Sequence, residues 1–334
     1  MYIAAEQRYQ ELNYRRAGRS GLVLPPLSLG CWHNFGDDTS RHQQKEILHT
    51  AFDQGINHFD LANNYGTPYG SAETNLGYFL NHNFKAYRDE LIISTKAGWD
   101  MWPGPYGQGG SSRKYLLASV EQSLKRLDLD YVDVFYSHRF DPDTPLEETA
   151  SALADIVKQG KALYIGISSG YTPELTQKLT ALLADYKVPI TLHQPLYNLF
   201  NRTIETGLLQ TSAELGFGVI VFSPLAQGLL GGRYLQGVPV DSRIGRGSRY
   251  LTERELASDV IDKVKRLNIV AQQRGQSLAQ LALAWVLRQP QITSAIIGAS
   301  NPQQVIENVK SLENLVFDSK ELQLIDTILN AKHD

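Results

Sequence analysis

VDVFYSHRFDPDTPLEETASALADIVKQGKALYIGIS, residues 132–168, decides the architecture. It opens on a run of β-branched and aromatic residues (VDVFYS, 132–137) and closes on another (LYIGIS, 163–168). Between them LEETASALADIVKQG (146–160) is amphipathic at helical spacing, with Gly160 as its candidate C-cap. A strand, a helix and a second strand in that order imply parallel strands joined by a crossover.

The same unit recurs along the chain. LSLGCW (27–32), INHFDL (56–61), LIISTK (91–96), ITLHQ (190–194), GVIVFS (218–223) and SAIIG (294–298) bring the strands to eight. SSRKYLLASVEQSLKRL (111–127) is a further helix, with Ser112 as N-cap. Eight such units in 334 residues predict an α/β fold, a single closed (β/α)8 TIM barrel, treated as one domain over 1–334. An open doubly wound sheet is the alternative, but SLGCWHNFG (28–36) lacks its G-x-G-x-x-G turn, and no G-x-x-x-x-G-K-[ST] motif occurs.

Three pieces fall outside the eight units. YRRAGRSGLVLPP (14–26) reads as an N-terminal hairpin closing the barrel floor. Two helices, 256–274 and 277–288, follow each other before the last strand, and SKELQLIDTILN (319–330) is an extra C-terminal helix. Two long βα loops, 98–112 and 225–251, leave carboxyl ends of strands, which suits a lid or clamp.

Hydrophobic residues make up 42% and charged residues 20%, as in a globular protein with a substantial core. A net charge of −3 argues against nucleic acid or an anionic membrane as the main partner. The single cysteine, Cys31, excludes an intrachain disulfide. MYIAAEQRYQELNYRR has no apolar signal-peptide core and no run suits a membrane span, so the cytoplasm is the expected address. No cluster has metal-ligand spacing, and no metal is expected.

Polar residues gather where the strands finish: Trp32, Asp60, Lys96, His138, Ser168–Ser169, Gln194 and Ser223. In a closed barrel these ends converge on one cavity. Free tyrosine, with a pKa near 10, is a poor proton donor at neutral pH. An ammonium beside the phenol lowers that value, and a buried ammonium needs a counter-charge. Asp60 supporting Lys96, Lys96 tuning Tyr65, and His138 donating to a carbonyl oxygen make a general-acid set for carbonyl chemistry. A hydride donor completes it: Ser168, Ser169 and Gln194 suit a carboxamide, Phe222 suits a ring, and the helix opened by IIGASNPQQVIENV (296–309) suits an adenosine or anionic end.

FDLANNYG (59–66), LIISTKAG (91–98), DVFYSHR (133–139), GISS (166–169), HQPLYN (193–198), FSPLAQGLL (222–230) and IIGASNPQQVIEN (296–308) together resemble the aldo-keto reductases over essentially the whole chain. The branch resembled holds potassium-channel β-subunits and bacterial relatives. Within it, CWHNFG (31–36) and GWDMWPGPYGQGGSSRKYL (98–116) look like the bacterial reductases of L-glyceraldehyde 3-phosphate. The resemblance implies NADPH bound without a Rossmann unit and a catalytic tetrad of Asp60, Tyr65, Lys96 and His138, with Tyr65 as acid. It implies nicotinamide and pyrophosphate contacts from Ser168, Gln194, Phe222, Ser223, Leu225, Gln227 and Gly228, with Trp32, Ser169 and Gly298 counted alongside. Arg233 stands where relatives often carry Lys, and Ser300, Gln304, Glu307 and Asn308 would hold the adenosine end. Arg243, Arg246 and Arg249 speak for NADPH over NADH unless they are solvated loop charges. Arg113, His33 and Arg139 are candidates to meet a substrate phosphate, though Arg113 equally suits a surface charge that begins a helix.

The expected activity is reduction of small aldehydes, glyceraldehyde 3-phosphate and methylglyoxal among them, by a chain that suits homo-oligomeric assembly as its relatives do. Two alternatives remain open: an NADPH-binding redox-sensing module like the channel β-subunits, and a Schiff-base lyase using Lys96.

Overall fold

The computed structural model describes residues 2–235 and 258–331. A short antiparallel hairpin, β1 (Arg15–Arg16) and β2 (Val23–Leu24), precedes the barrel. The barrel strands and their following helices are β3 (Leu27–Gly30), α1 (Arg41–Asp53), β4 (His58–Asp60), α2 (Ser71–His82), β5 (Ile92–Ala97), α3 (Arg113–Leu127), β6 (Val132–Arg139) and α4 (Leu146–Lys158). There follow β7 (Ala162–Ser169), α5 (Pro173–Ala184), β8 (Ile190–His193), α6 (Leu208–Leu215) and β9 (Gly218–Val221). Two successive helices, α7 (Ser258–Gln273) and α8 (Leu278–Leu287), lead to β10 (Ile292–Ile297), and α9 (Pro302–Val309) and α10 (Ser319–Asn330) complete the described chain.

The eight strands β3 to β10 close in sequence order, β10 pairing with β3, and every ladder between them is parallel. The expected TIM barrel is therefore observed, with the hairpin and the extra helices in place. Buried parallel strands read as continuous apolar runs because helices cover one face and the barrel interior the other. Helix starts follow the local chemistry: Ser112 accepts from the Tyr115 amide, and Ser277 and Gln280 form a reciprocal capping box. The α4 cap is Gln159 rather than Gly160; Gly160 follows it at φ 72°, a conformation that suits glycine.

Two cores result. The larger lies between strands and helices and includes Phe59, Phe135, Leu153 and Trp285. The smaller fills the barrel: Val134, Tyr136, Leu192, Ile220 and Ile296, stoppered by Ala17, Leu22 and Leu24 of the hairpin segment. Arg15 fastens that stopper by donating to the carbonyls of Leu287 (3.1 Å) and Ile292 (2.9 Å). The hairpin thus closes the amino end of the barrel, leaving the carboxyl end to the loops.

Gly166 on β7 makes room inside. A Cβ there would lie 2.3 Å from Cε1 of Tyr136, so the buried ring fits only beside a bare backbone. Among the described residues no helix is long and apolar enough to cross a membrane, and no group of three or more His, Cys, Asp or Glu could hold a metal ion.

Candidate active site

Strand periodicity builds the site. Alternate residues of a strand share a face, so His58 and Asp60, Ser94 and Lys96, and Tyr136 and His138 stack in pairs on the inner wall. Parallel register then sets Asp60 beside Ser94, and Lys96 beside Tyr136. Lys96 Nζ lies 2.6 Å from Asp60 Oδ2, with the two side chains 0% and 3% exposed. Nζ also donates to the Leu61 carbonyl. An ammonium has three protons, two of which these acceptors take. Nζ is 5.1 Å from the Tyr65 ring centroid and 5.6 Å from that of Tyr136.

Asp60 is held from more than one side. Its Oδ1 accepts from Ser94 Oγ at 2.7 Å and from Gln194 Nε2 at 3.1 Å. Burial pulls the Lys96 ammonium below its usual pKa, and the Asp60 charge and hydrogen bond oppose that pull. Removing one partner of so buried a pair costs about 3–5 kcal/mol, because the other charge is stranded. The pairing also keeps the amine charged, which disfavours the Schiff-base alternative.

Tyr65 follows β4 and is half-buried. Its ring stacks against Trp32 with centroids 5.5 Å apart, and stands edge-on to His138 at 5.9 Å. His138 is 8% exposed; burial first, then the charges of Lys96 and Arg139, holds its imidazole well below the usual value, so it is neutral at physiological pH. Its Nδ1 is buried and lacks a protein partner among the described residues. Asp60, Tyr65, Lys96 and His138 therefore occupy one pocket, an ion pair on its floor and a phenol and neutral imidazole above.

The loop after β5 adds a residue that the sequence reading did not single out. Trp99 stands edge-on to His138 at 6.3 Å and carries the Arg139 guanidinium 4.5 Å above its ring. Arg139 Nε donates to the Gly98 carbonyl at 2.7 Å, so this arginine sits at the pocket's rim. A Trp in a loop leaving a site strand was the available signal. Arg113 does not join the pocket. It opens α3, pairs with Asp155 at 2.5 Å and donates its backbone NH to Glu148 Oε1 at 2.9 Å, so the surface-charge alternative holds. His33 is exposed and stacked on Trp32 at 3.7 Å.

The cofactor candidates extend from this pocket. Ser168 Oγ donates to the Gln194 carbonyl at 2.7 Å; Ser169 follows at the end of β7, and Phe222, Ser223 and Leu225 continue beyond β9, all half-buried. Gln227 Nε2 donates to Ser223 Oγ at 2.7 Å. This turn is bent hard: Ser223, Ala226 and Gln227 have φ of 53°, 48° and 58°, a conformation costly for non-glycine residues and frequent at ligand clamps. Arg233 is exposed at its far side. Arg243, Arg246 and Arg249 lie outside the described residues, as does most of the expected 225–251 loop.

Beyond β10, Ser300 NH donates to Gln304 Oε1 at 2.8 Å and Asn301 caps α9. Glu307 accepts from Gln303 and Lys310, and Asn308 is buried. These residues fit a nicotinamide dinucleotide on a structural ground. Among the described residues a Cβ built on Gly228 or Gly298 would meet nothing within 4 Å, so the backbone is open to a ligand at both glycines. Ser223 and Gln227 beside Gly228, and Ser300 and Gln304 after Gly298, supply hydroxyl and amide groups there.

Comparison with known proteins agrees with this geometry. The Aldo/keto reductase family profile matches residues 26–330. L-glyceraldehyde 3-phosphate reductase of Escherichia coli K12 is 58% identical over 330 residues, covering 98% of this chain and 95% of the relative. A probable voltage-gated potassium channel subunit beta of Oryza sativa is 37% identical over 96% of this chain and 98% of its own length. One from Arabidopsis thaliana is 39% identical over 90% and 92%. With a closed barrel, a buried Asp–Lys pair beside a tyrosine and a histidine, and matches of this length, the chain belongs to the aldo/keto reductase family.

Proposed function

We propose that this oxidoreductase reduces small aldehydes with NADPH, L-glyceraldehyde 3-phosphate first among them and methylglyoxal second. The observation that carries this reading is the buried Asp60–Lys96 pair with its ammonium 5.1 Å from the Tyr65 ring. Bound NADPH supplies the hydride that the protein's own side chains lack. Ser168 and Gln194 would hold its carboxamide, Phe222 its ring, and Ser300, Gln304 and Asn308 its adenosine end.

Tyr65 Oη gives its proton to the carbonyl oxygen as the carbonyl carbon is reduced. Lys96 stabilises the phenolate left behind, and Asp60 keeps Lys96 charged for that purpose. His138, neutral by burial, orients the carbonyl as a hydrogen-bond donor without competing as an acid. Trp32 and Trp99 narrow the approach and exclude water. Arg139 presents its guanidinium edge at the rim, where a triose phosphate would carry its anion. The name and 58% identity of the Escherichia coli relative support the phosphorylated substrate. The cytoplasm as address and a homo-oligomer as assembly belong to the same reading.

The test follows NADPH oxidation with L-glyceraldehyde 3-phosphate, methylglyoxal and an aromatic aldehyde, with NADH as control. Fast, NADPH-specific turnover of the triose phosphate is expected. Tyr65→Phe should lower kcat by about 10²–10⁴-fold with little change in cofactor binding, as expected for loss of a general acid. Full turnover in that variant would remove Tyr65 from its role. A second reading, a redox-sensing module, draws on the channel-subunit relatives at 37% and 39% identity. Tight NADPH binding with no turnover of any aldehyde would favour it.

A further inference from the structure

Below the Asp60–Lys96 pair the barrel interior divides in two. The side made by β6, β8 and β9 is filled by Val134, Tyr136, Leu192 and Ile220. The side made by β10, β3, β4 and β5 carries Ser294, Ser28, His58 and Ser94, each fully buried. Apolar residues of like volume would fill that space without the desolvation cost of polar ones. These polar side chains instead touch in series. Ser294 Oγ is 2.7 Å from Ser28 Oγ, and Ser28 Oγ is 2.8 Å from His58 Nδ1. His58 Nε2 is 2.9 Å from Ser94 Oγ, and Ser94 Oγ is 2.7 Å from Asp60 Oδ1.

Counting hydrogens fixes the direction of every bond. Ionised Asp60 only accepts, so the single hydroxyl proton of Ser94 goes to Oδ1. Ser94 Oγ must then accept from His58, which places the ring proton on Nε2. His58 is neutral, burial holding its pKa down at about 4, so Nδ1 accepts from Ser28. Ser28 has no second proton, and Ser294 donates to it. The donors point one way, from β10 across β3, β4 and β5 to the carboxylate.

We infer that His58, with Ser28, Ser94 and Ser294, acts as a positioning residue for Asp60: the one-way chain fixes Oδ1 and so the orientation in which Oδ2 meets Lys96 Nζ. This rests on the reading of Asp60 as the support of Lys96. Aligned hydrogen bonds polarise one another and strengthen the last of the series. Donors to a carboxylate favour its charged form, which the buried site otherwise opposes. Among the described residues the titratable groups around Asp60 include Lys96 from β5, His58 from its own strand, Cys31 beyond β3 and Tyr136 from β6, with Tyr65 beyond Lys96. Burial raises the Cys31 and Tyr136 values well above normal, so both stay protonated; Glu73, across β5, is paired with Arg126. Among the described residues Lys96 is thus the charged partner on the inner side, and the chain, with Gln194 Nε2, supplies the hydrogen bonds to the other carboxylate oxygen of Asp60.

Two measurements test this on the full-length protein. Nitrogen-15 NMR of the histidines, with His58 identified by the signal lost in His58→Phe, or in His58→Asn should that variant fail to fold, should show a neutral Nε2–H tautomer from neutral to mildly acid pH. An Nδ1–H tautomer or a charged ring would overturn the chain. The pH profile of kcat/KM reads its effect. Ser94→Ala should lower kcat/KM about tenfold, as for a lost charged hydrogen bond, and move the acid limb up, because a carboxylate that loses a donor binds a proton more readily. Ser28→Ala should move the limb the same way by less. A uniform loss with the limb unmoved would reduce these residues to packing. Lys96→Met separates the two claims: if it is inactive while Ser94→Ala keeps the original limb, the positioning role fails and the reductase reading stands. If Lys96→Met turns over normally, the reading of the site fails and the role built on it goes too.

Discussion

Thr95 and Lys96 are neighbours on β5 and face opposite ways, and each serves a buried carboxylate. Lys96 turns inward to Asp60 at 2.6 Å; Thr95 turns outward and donates to Oε1 of Glu73, a fully buried residue of α2. Glu73 Oε2 takes Arg126 Nε of α3 at 2.7 Å. Both pairs are charged and hydrogen-bonded. The outer one lies between barrel and helices on the opposite face of β5, with the Arg126 side chain 19% exposed. The inner one meets a phenol, a neutral imidazole and the mouth of the barrel. A buried ion pair is thus no sign of a site by itself; what adjoins it decides.

That contrast is open to direct attack. On the proposed mechanism Lys96→Met should abolish reduction, a fall of about 10³-fold or more in kcat, since it would remove the charge that tunes Tyr65 as an acid. Arg126→Met should instead cost about 3–5 kcal/mol of stability, read by urea unfolding, while the folded fraction keeps its kcat/KM. A collapse of kcat in well-folded Arg126→Met would erase the distinction between the pairs.

Acid should act through the buried histidines. His58 and His193 are buried with values pushed down to about 4, and His138 lies well below normal. The unfolded chain takes up these protons from about pH 6.5 downward and the folded one does not, so stability present above that pH is lost as pH falls toward 4. The loss is roughly 3 kcal/mol for each of His58 and His193 by pH 4. A flat unfolding midpoint between pH 7 and 4.5 would contradict it. The smallest effect expected is that of Gly166→Ala. Its Cβ would press on Tyr136, 2.3 Å away, and on the Leu192 carbonyl at 2.9 Å, moving a ring that stands 5.6 Å from Lys96 Nζ. About 1–3 kcal/mol of destabilisation is expected, together with a reduced kcat; unchanged kinetics would show that Tyr136 does not shape the inner pocket.

The sequence carries the eight strands because each is a short apolar run bounded by a helix of different period. LIISTK and VDVFYS fall within two residues of β5 and β6. It also carries Asp60, Lys96 and His138, since charged residues at strand ends stand out against such runs. His58 and the three serines do not stand out. Each passes for strand filler, and their meaning lies in contacts across 266, 30 and 36 residues of chain. Arg113 misleads for the opposite reason: an arginine near a catalytic loop reads as an anion ligand until Asp155, on the next helix, claims it. The left-handed Ser223, Ala226 and Gln227 are hidden because none is a residue type that announces positive φ.

The stopper at the barrel floor sets a timetable for synthesis. Arg15 emerges early, yet its acceptors lie 272 and 277 residues further along. At about 5–20 residues per second the ribosome delivers them roughly 15–55 s later. Until then the hairpin segment's Ala17, Leu22 and Leu24 have no finished barrel to plug. The hairpin segment, made before the barrel it plugs, is therefore among the last pieces to dock, and while Ala17, Leu22 and Leu24 wait uncovered it is where chaperone contact on the nascent chain should concentrate.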